Sequence, residues 1–336
     1  MENWFLRQWY EKRQPAWYLR LLEPLYRHAY QYSHKKGQTG LNRYRSELPV
    51  IVVGNITAGG SGKTPLVIRL CELAREMNIR PGIASTGYGR QSSETLVVSA
   101  DSDSRVCGDE PVLLAQRTGV PVVVAEKRCD AVRQLNLLDL DLVVSDDGLQ
   151  QASLVRDMEI CVIDGARGLG NGHLLPAGPL RETAARLGKV DFVVTNGEWD
   201  GMPHDIDASV MRLEASEVCT LDGKKRVSVR KFLQLNNGIP VQAVAGIGHP
   251  QRFFSMLETL GIEARTRGFP DHHMFSVSDF DSIPPGVVIV MTEKDAVKCR
   301  SLGLENAWYL PVDTHLPQVF ETALKERLVN LIKETK

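Results

Sequence analysis

Apolar and polar positions fall in alternating blocks along most of the chain, and the blocks predict strands and helices in turn. Leu48–Asn55 is an apolar run too short for a helix and predicts a buried strand. A glycine-rich stretch follows, then a helical pattern over Lys63–Met77. Pro65 fits that helix because it falls in the first turn, where its missing N–H costs nothing. Further strands are predicted at Arg80–Ser85, Thr95–Ser99, Pro121–Ala125, Leu140–Ser145, Met158–Asp164 and Val190–Thr195. Helical patterns over Glu110–Arg117 and up to Leu138 lie among them. Apolar strands separated by helices read as a parallel sheet covered on both faces.

The rhythm breaks over Pro203–Gly238, where Val210–Arg212 and Arg226–Leu235 read as short strands with no helix between them. A second rhythm then begins. Val241–Gly246, Val287–Met291 and Trp308–Val312 read as strands. Gln251–Leu260, a segment from Asp295, and Val319–Ile332 read as helices. The fold class expected is α/β, with one large helix-covered parallel sheet and a second, smaller α/β domain. The expected division is an N-terminal helical region 1–35, a nucleotide-binding α/β domain 36–205, connecting strands 206–239 and a C-terminal α/β domain 240–336.

Charge and aromatic content change the picture at the N-terminus. Residues 1–45 hold nine Lys/Arg against three Asp/Glu, three of the five Trp and six of the eight Tyr. Trp17, Tyr18, Leu21, Leu22, Leu25, Tyr26, Ala29 and Tyr30 recur at helical spacing, with Arg20, Arg27, Lys35 and Lys36 beside them. Aromatics with bases on one helix suit a bilayer interface, where rings sit at headgroup depth and cations face anionic lipid. The same pattern also suits an amphipathic helix packed on the protein's own body. Both readings stand at this level.

Elsewhere composition mainly excludes. The formal net charge of -1 over 336 residues gives no global field suited to nucleic acid. Six cysteines without a C-x-x-C pair argue against a zinc site or a disulfide framework and fit a reducing cytosol. No window of 18 uninterrupted apolar residues occurs, so no spanning helix is expected. Glu2 precedes any base, and Arg7, Glu11, Lys12 and Arg13 break the early apolar stretches, which does not fit a signal peptide.

The candidate chemistry starts at Gly54-Asn55-Ile56-Thr57-Ala58-Gly59-Gly60-Ser61-Gly62-Lys63-Thr64-Pro65. A strand, a glycine-rich turn and a helix N-terminus aim several backbone N–H groups at one point, and such a point attracts phosphate. Thr57, Ala58, Gly59, Gly60, Ser61, Gly62, Lys63 and Thr64 are the expected nucleotide-binding residues. Lys63 reaches the β- and γ-phosphates, and the Thr64 hydroxyl suits Mg²⁺. Thr57 stands where the usual pattern has Gly, and costs little if its φ is negative. A second requirement is an acid at the end of another buried strand. Asp146 and Asp147, emerging from Leu142-Val143-Val144-Ser145, are the candidate Mg²⁺ anchors, although Asp-Asp-Gly is also turn chemistry. Ala58 replaces the Lys that membrane-recruited partitioning ATPases carry before Gly-Gly. Thr292-Glu293-Lys294-Asp295 lacks the spacing of a guanine-reading motif. ATP is therefore the expected nucleotide.

With these residues go Gly87-Tyr88-Gly89-Arg90, Gly108-Asp109-Glu110-Pro111, Ser145-Asp146-Asp147-Gly148-Leu149-Gln150, Leu174-Leu175-Pro176-Ala177-Gly178-Pro179-Leu180-Arg181-Glu182, Asp271-His272-His273 and Thr292-Glu293-Lys294-Asp295-Ala296. Through these ordered motifs, over most of its length, the chain closely resembles the tetraacyldisaccharide 4'-kinase (lipid A 4'-kinase) family. One departure is Thr86, where relatives often carry Arg before Gly-Tyr-Gly; Arg90 is the neighbour that can serve instead. The resemblance implies a P-loop kinase-like fold with the site in a cleft between two α/β domains. It implies transfer of phosphate from ATP to lipid A disaccharide 1-phosphate, giving lipid IVA and ADP, at the cytoplasmic face of the inner membrane. It also implies Asp109 as general base with His272 paired to it, and adds Glu110 to the candidate Mg²⁺ ligands Thr64, Asp146 and Asp147. From the residues alone Asp109 reads as a helix N-cap. Arg181 is a candidate for phosphoryl or 1-phosphate contact; its alternative is a surface pair with Glu182. A membrane-recruited regulatory ATPase acting on a protein partner is the competing class.

Overall fold

A computed structural model describes residues 2–11, 14–39 and 43–335. Met1, Lys12 and Arg13 of the expected 1–35 region lie outside the described residues. Among the described residues two sheets form. The larger has nine strands in the order Asp313–His315, Ala208–Glu214, Phe192–Asn196, Met158–Asp164, Val50–Gly54, Leu142–Asp146, Pro81–Ser85, Val122–Val124 and Leu96–Val98. Its seven inner strands run parallel, and only the two edge strands are antiparallel. The smaller sheet has six strands in the order Arg226–Ser228, Glu217–Thr220, Ala307–Leu310, Val288–Thr292, Val241–Ala245 and Arg265–Gly268.

The continuous apolar runs follow from burial on both faces. In Val50–Val53, Ile51 and Val53 enter one core while Val50 and Val52 enter the other, the period of two that a strand imposes. The first core lies under helices Lys63–Glu76 and Asp109–Thr118, the second under helix Arg128–Leu135. Leu66, Leu70 and Leu73 are fully buried along one helix face; truncating such a Leu costs about 2–5 kcal/mol. All six cysteines are free and buried.

Strand pairing divides the chain differently from the expected 206–239 and 240–336. Ala208–Glu214 extends the large sheet, whereas Glu217–Thr220 and Arg226–Ser228 close the small one. After serving the small sheet, the chain returns: Asp313–His315 pairs with Ala208–Glu214, and helix Gln318–Thr335 buries Phe320, Leu324, Leu328 and Leu331 in the large core. Arg69 meets Glu321 at 2.8 Å across that contact. The edge strand Asp-Thr-His has no apolar run, so nothing in its pattern announces the return. Residues 229–235 also form a helix rather than a continued strand, because the Ser228 side chain caps it by accepting from the Lys231 N–H.

The N-terminal segment comprises a helix Glu2–Leu6, a π-helical turn Arg7–Glu11 and a 22-residue helix Trp17–Gln38 with Pro24 inside it. The long helix packs on the body of the protein through one face and leaves an apolar arc exposed on the other. Leu19 is buried, Tyr26 packs against the core under Arg128–Leu135, and Tyr26 Oη donates to the Arg181 carbonyl at 3.1 Å. At about 100° per residue the other face carries Trp17, Leu21 and Leu25, which are 73%, 65% and 67% exposed. Tyr18, Leu22 and Tyr32 extend that exposed arc. No helix among the described residues is long and apolar enough to cross a membrane.

Candidate active site

The glycine-rich loop joins strand Val50–Gly54 to helix Lys63–Glu76, at the centre of the large sheet. Gly62 caps the helix at φ 97°, a left-handed conformation that a side chain would oppose, and a Cβ there would meet the Asn196 amide at 2.5 Å. Thr57 is buried, is not among the positive-φ residues, and pairs with Leu180 in a short bridge. Its place in the loop is therefore strand-like, and Thr suits it. Ala58 N–H donates to the Pro179 carbonyl at 2.7 Å, and Asn55 Nδ2 donates to the Gly59 carbonyl at 3.2 Å. The rigid Leu174–Arg181 loop thus braces the phosphate loop. The N-terminal segment braces both: Trp9 Nε1 donates to the Pro176 carbonyl at 3.0 Å, and Tyr10 Oη donates to the Ala58 carbonyl at 3.3 Å.

Strand Leu142–Asp146 ends beside the loop. Its two acids differ in environment. Asp147, at φ 51°, is paired with Lys63 at 3.6 Å and Arg181 at 3.3 Å. Burial alone would raise its carboxyl, but Lys63, Arg181 and Arg128 hold it well below the usual carboxylate range. Asp146 is 1% exposed, and its Oδ1 has no hydrogen-bond partner. Burial first, then Glu110 and Asp147, push its carboxyl up to about 7. Arg128, buried in the helix below, fixes the strand end by donating two hydrogen bonds to the Asp146 carbonyl, at 3.0 and 2.8 Å. Nothing in the sequence pattern had singled it out.

An orphaned carboxylate oxygen with a second acid close by is a fit for a hard divalent cation. Among the described residues no group of three or more His, Cys, Asp or Glu side chains makes an all-protein metal cage. Mg²⁺ asks for less: one or two carboxylates, with phosphate and water completing its shell. Asp146, Glu110 and Thr64 supply oxygen donors of that kind; Asp147 is turned to cations.

Asp109 is the first residue of helix Asp109–Thr118, so Gly108, not Asp109, is the N-cap. Gly108 has φ 93°, and a Cβ on it would lie 2.9 Å from the Gly87 Cα, so the two glycine motifs are in direct backbone contact. Asp109 is 6% exposed and faces the smaller sheet's loops. His272 reaches it from there: Nδ1 lies 3.3 Å from Oδ1 and 3.2 Å from Oδ2. Neutral His272 donates from Nδ1 to Asp109 and accepts at Nε2 from Lys294, 3.4 Å away. His272 sits at φ 56°, and its N–H donates to Asp271 Oδ1 at 3.0 Å. Two non-glycine residues of one site, Asp147 and His272, thus hold left-handed backbones, a strain that clusters at functional sites.

Lys294 and Lys298 complete the cluster, from helix Glu293–Cys299 of the small sheet. Lys294 Nζ lies 2.9 Å from Glu110, 3.6 Å from Asp271 and 3.9 Å from Asp109. Lys298 Nζ lies 2.7 Å from Asp295 and 3.9 Å from Asp109. Asp109 is buried, which raises its carboxyl, but Lys294, His272 and Lys298 outweigh burial and hold it well below the usual range. Burial lowers the His272 pKa and Asp109 raises it; the balance lies above the ordinary histidine value.

A second link between the sheets runs through Asp164, at the end of strand Met158–Asp164. It meets His249 at 3.2 Å and Arg252 at 2.5 Å. Gly248 of the same loop touches the phosphate loop: a Cβ on it would lie 2.7 Å from Gly60 N.

Of the remaining expected residues, Arg181 meets Asp147, whereas Glu182 pairs with Arg186 at 3.3 Å and accepts from Gln150 at 2.7 Å. Arg181 and Glu182 do not form the surface pair that was the alternative. Arg90 is not brought to the cluster; its Nη1 donates to the Glu94 carbonyl at 2.6 Å within its own turn. Tyr88 of that turn faces the site instead, its ring centroid 5.1 Å from that of His272.

Comparison with known proteins identifies the family. A family model for tetraacyldisaccharide-1-P 4'-kinase, LpxK, matches residues 15–329. The tetraacyldisaccharide 4'-kinase of Psychromonas ingrahamii is 42% identical over 334 residues, covering 98% of this chain and 99% of the relative. That of Vibrio parahaemolyticus is 44% identical over 303 residues, covering 89% of this chain and 86% of the relative. Among solved structures, LpxK from Aquifex aeolicus in complex with ATP superposes with a TM-score of 0.74 at 29% identity, covering 94% of this chain and 97% of that one. A family match over residues 15–329 and relatives above 40% identity over nearly the whole chain show that this chain belongs to the tetraacyldisaccharide-1-P 4'-kinase family.

Proposed function

We infer that the protein transfers the γ-phosphoryl group of ATP to the 4'-hydroxyl of tetraacyldisaccharide 1-phosphate, giving the 1,4'-bisphosphate and ADP. The observation that carries the residue assignment is the apposition of Asp109 and His272 at 3.2 Å. A sugar hydroxyl is a weak nucleophile, so transfer needs it aligned with the phosphorus and relieved of its proton. Asp109 accepts that proton as the new O–P bond forms and the bond from phosphorus to the β–γ bridging oxygen breaks. His272 orients the Asp109 carboxylate from the opposite sheet. Lys63 and the backbone N–H groups of the loop hold the phosphates. Arg181, tethered by Asp147, stands ready to meet phosphoryl charge.

Asp146, Glu110 and Thr64 would hold the Mg²⁺ that such a reaction uses. Bound there, it would supply positive charge that offsets the charge of the phosphates. The chain's own contribution is a buried Asp146 carboxylate, at a strand end that Arg128 fixes, with the Glu110 carboxylate near it.

The exposed arc of Trp17, Leu21 and Leu25 supports docking on an anionic membrane surface, with Arg20 and Arg27 along its edge. A substrate with four acyl chains cannot leave the bilayer without exposing them to water, so the enzyme comes to it. The cytoplasmic face of the inner membrane is the surface where ATP meets this substrate.

Incubation with labelled ATP, Mg²⁺ and the disaccharide 1-phosphate in detergent micelles tests the reading. A labelled lipid product is expected. Protein-stimulated ATP hydrolysis with no labelled lipid would assign the chain to a regulatory ATPase instead.

A further inference from the structure

Lys294 and Lys298 stand one helical turn apart and each lies 3.9 Å from Asp109, yet their nearest partners differ. The Lys298 side chain is 1% exposed, and its ammonium lies 2.7 Å from Asp295 on its own helix. It also donates to the Gly246 carbonyl at 3.4 Å and lies over the Phe275 ring. It is committed to the interior of the small sheet. Lys294 is 16% exposed, and its carboxylate partners are all outside its own helix. Glu110 and Asp109 belong to a helix of the large sheet, and Asp271 belongs to the loop that carries His272.

Its position relative to the chemistry can be bounded. A hydroxyl that Asp109 deprotonates lies about 2.6–3.2 Å from that carboxylate. The phosphorus it attacks lies about 3–3.5 Å further on. The γ-phosphorus therefore falls within about 6–7 Å of the Asp109 carboxylate when the two distances are added. The Lys294 ammonium is already 3.9 Å from that carboxylate, at the end of a four-carbon arm. Lys63 of the phosphate loop meets Asp147 at 3.6 Å, so both the large sheet and the small one bring an ammonium to the acids of the site.

The charges also dictate a change on nucleotide binding. A divalent cation held by Asp146 and Glu110 draws on the carboxylate charge that now holds Lys294 and repels its ammonium, which weakens the 2.9 Å contact. Displaced from Glu110, the ammonium finds its nearest new negative charge on the incoming phosphate. We propose that Lys294 is a further catalytic residue, whose ammonium leaves Glu110 on binding of the metal nucleotide and contacts a non-bridging oxygen of the transferring γ-phosphoryl group. In the transfer the hydroxyl oxygen bonds to phosphorus, the bond to the ADP oxygen breaks, and the proton goes to Asp109. Lys294 gains and loses no proton; it offsets charge on the equatorial oxygens. The assignment rests on the kinase reading for the acceptor, though not for the contact with nucleotide.

The test compares nucleotides that differ only in the γ-phosphate. The full chain, in Mg²⁺, is titrated calorimetrically with β,γ-imido ATP and with ADP. Lys294→Met is expected to weaken the triphosphate analogue about tenfold or more while ADP changes less than about twofold. Its kcat is expected to fall about 10²–10³-fold with KM for the lipid nearly unchanged. Lys294→Arg should recover part of both losses. Equal weakening of both nucleotides, or unchanged triphosphate affinity, would overturn the assignment. If Lys294→Met melts before it can be assayed, Lys294→Gln set against Lys294→Arg reads the same contrast between a neutral and a charged donor. A wild-type chain that makes no phosphorylated lipid but loses triphosphate preference on substitution would sink the kinase reading and leave the contact standing.

Discussion

His272 Nδ1 lies 3.2 Å from Asp109 Oδ2, and the two side chains come from opposite sides of the cleft. Asp109 opens a helix packed on the large sheet; His272 occupies a left-handed turn in a loop of the small one. Asp109 and His272 therefore exist as a pair only when the sheets are together.

If Asp109 is the proton acceptor, Asp109→Ala lowers kcat by about 10²–10⁴-fold while nucleotide affinity changes little. Steady-state turnover with the disaccharide acceptor, beside calorimetric nucleotide binding, checks this. Turnover equal to wild type removes Asp109 from the chemistry.

The pairing also carries a pH signature in stability. The folded-state pKa of His272 lies above its ordinary value of about 6.5. A raised histidine contributes stability that is fully present below the unfolded pKa and is lost as pH rises through the folded one. The melting temperature of wild type should exceed that of His272→Asn most below about pH 6. The gap should close on the alkaline side of the folded value. A gap that widens with pH would contradict the pairing.

The position of Asp146 carries a cost in stability. Its buried carboxyl is pushed up to about 7 by burial, Glu110 and Asp147, and its Oδ1 has no partner. Asp146→Asn removes a crowded charge, so its melting temperature is expected to rise by a few degrees, about 1 kcal/mol. Activity should fall by about 10²-fold or more. A destabilised variant with normal turnover would mean that Asp146 is a structural group.

Asn171 ties the N-terminal segment to the loop under the phosphate site. Its Nδ2 donates to the Gln8 carbonyl at 3.1 Å and the Ala177 carbonyl at 3.0 Å, and its Oδ1 accepts from the His173 N–H at 3.1 Å. Asn171→Ala leaves these groups unpaired and should cost about 1–3 kcal/mol, read by denaturant unfolding. Loss of the tie should also quicken proteolysis within residues 2–11.

The exposed face of helix Trp17–Gln38 predicts vesicle binding that depends on three side chains. Replacing Trp17, Leu21 and Leu25 together by Ser should weaken co-sedimentation with anionic vesicles at least about tenfold. Melting should be unchanged, because these side chains are 73%, 65% and 67% exposed. Unchanged co-sedimentation would return this face to some other partner.

Much of this protein is legible without coordinates, for reasons of range. A strand buried on both faces must be apolar throughout, so Val50–Gly54, Leu142–Asp146 and Met158–Asp164 stand out as runs. A glycine-rich turn before a helix is a local device, so the phosphate loop is visible in twelve consecutive residues. The helix at residues 229–235 was misread as strand because its start depends on one cap, Ser228, rather than on a long period.

What the chain by itself determined is each of these local pieces, since period, turn chemistry and capping act over a few residues. Which pieces meet is a long-range matter of packing, and only the tertiary structure decided it. Asp146 and Asp147 are neighbours in sequence, yet one faces Lys63 and Arg181 while the other is left with a free buried oxygen. Arg181 went to Asp147 rather than to adjacent Glu182. Arg128, in no motif, and Lys294, in a motif that assigns it no role, are drawn into the centre because a buried cluster of acids must find positive charge wherever the fold brings it.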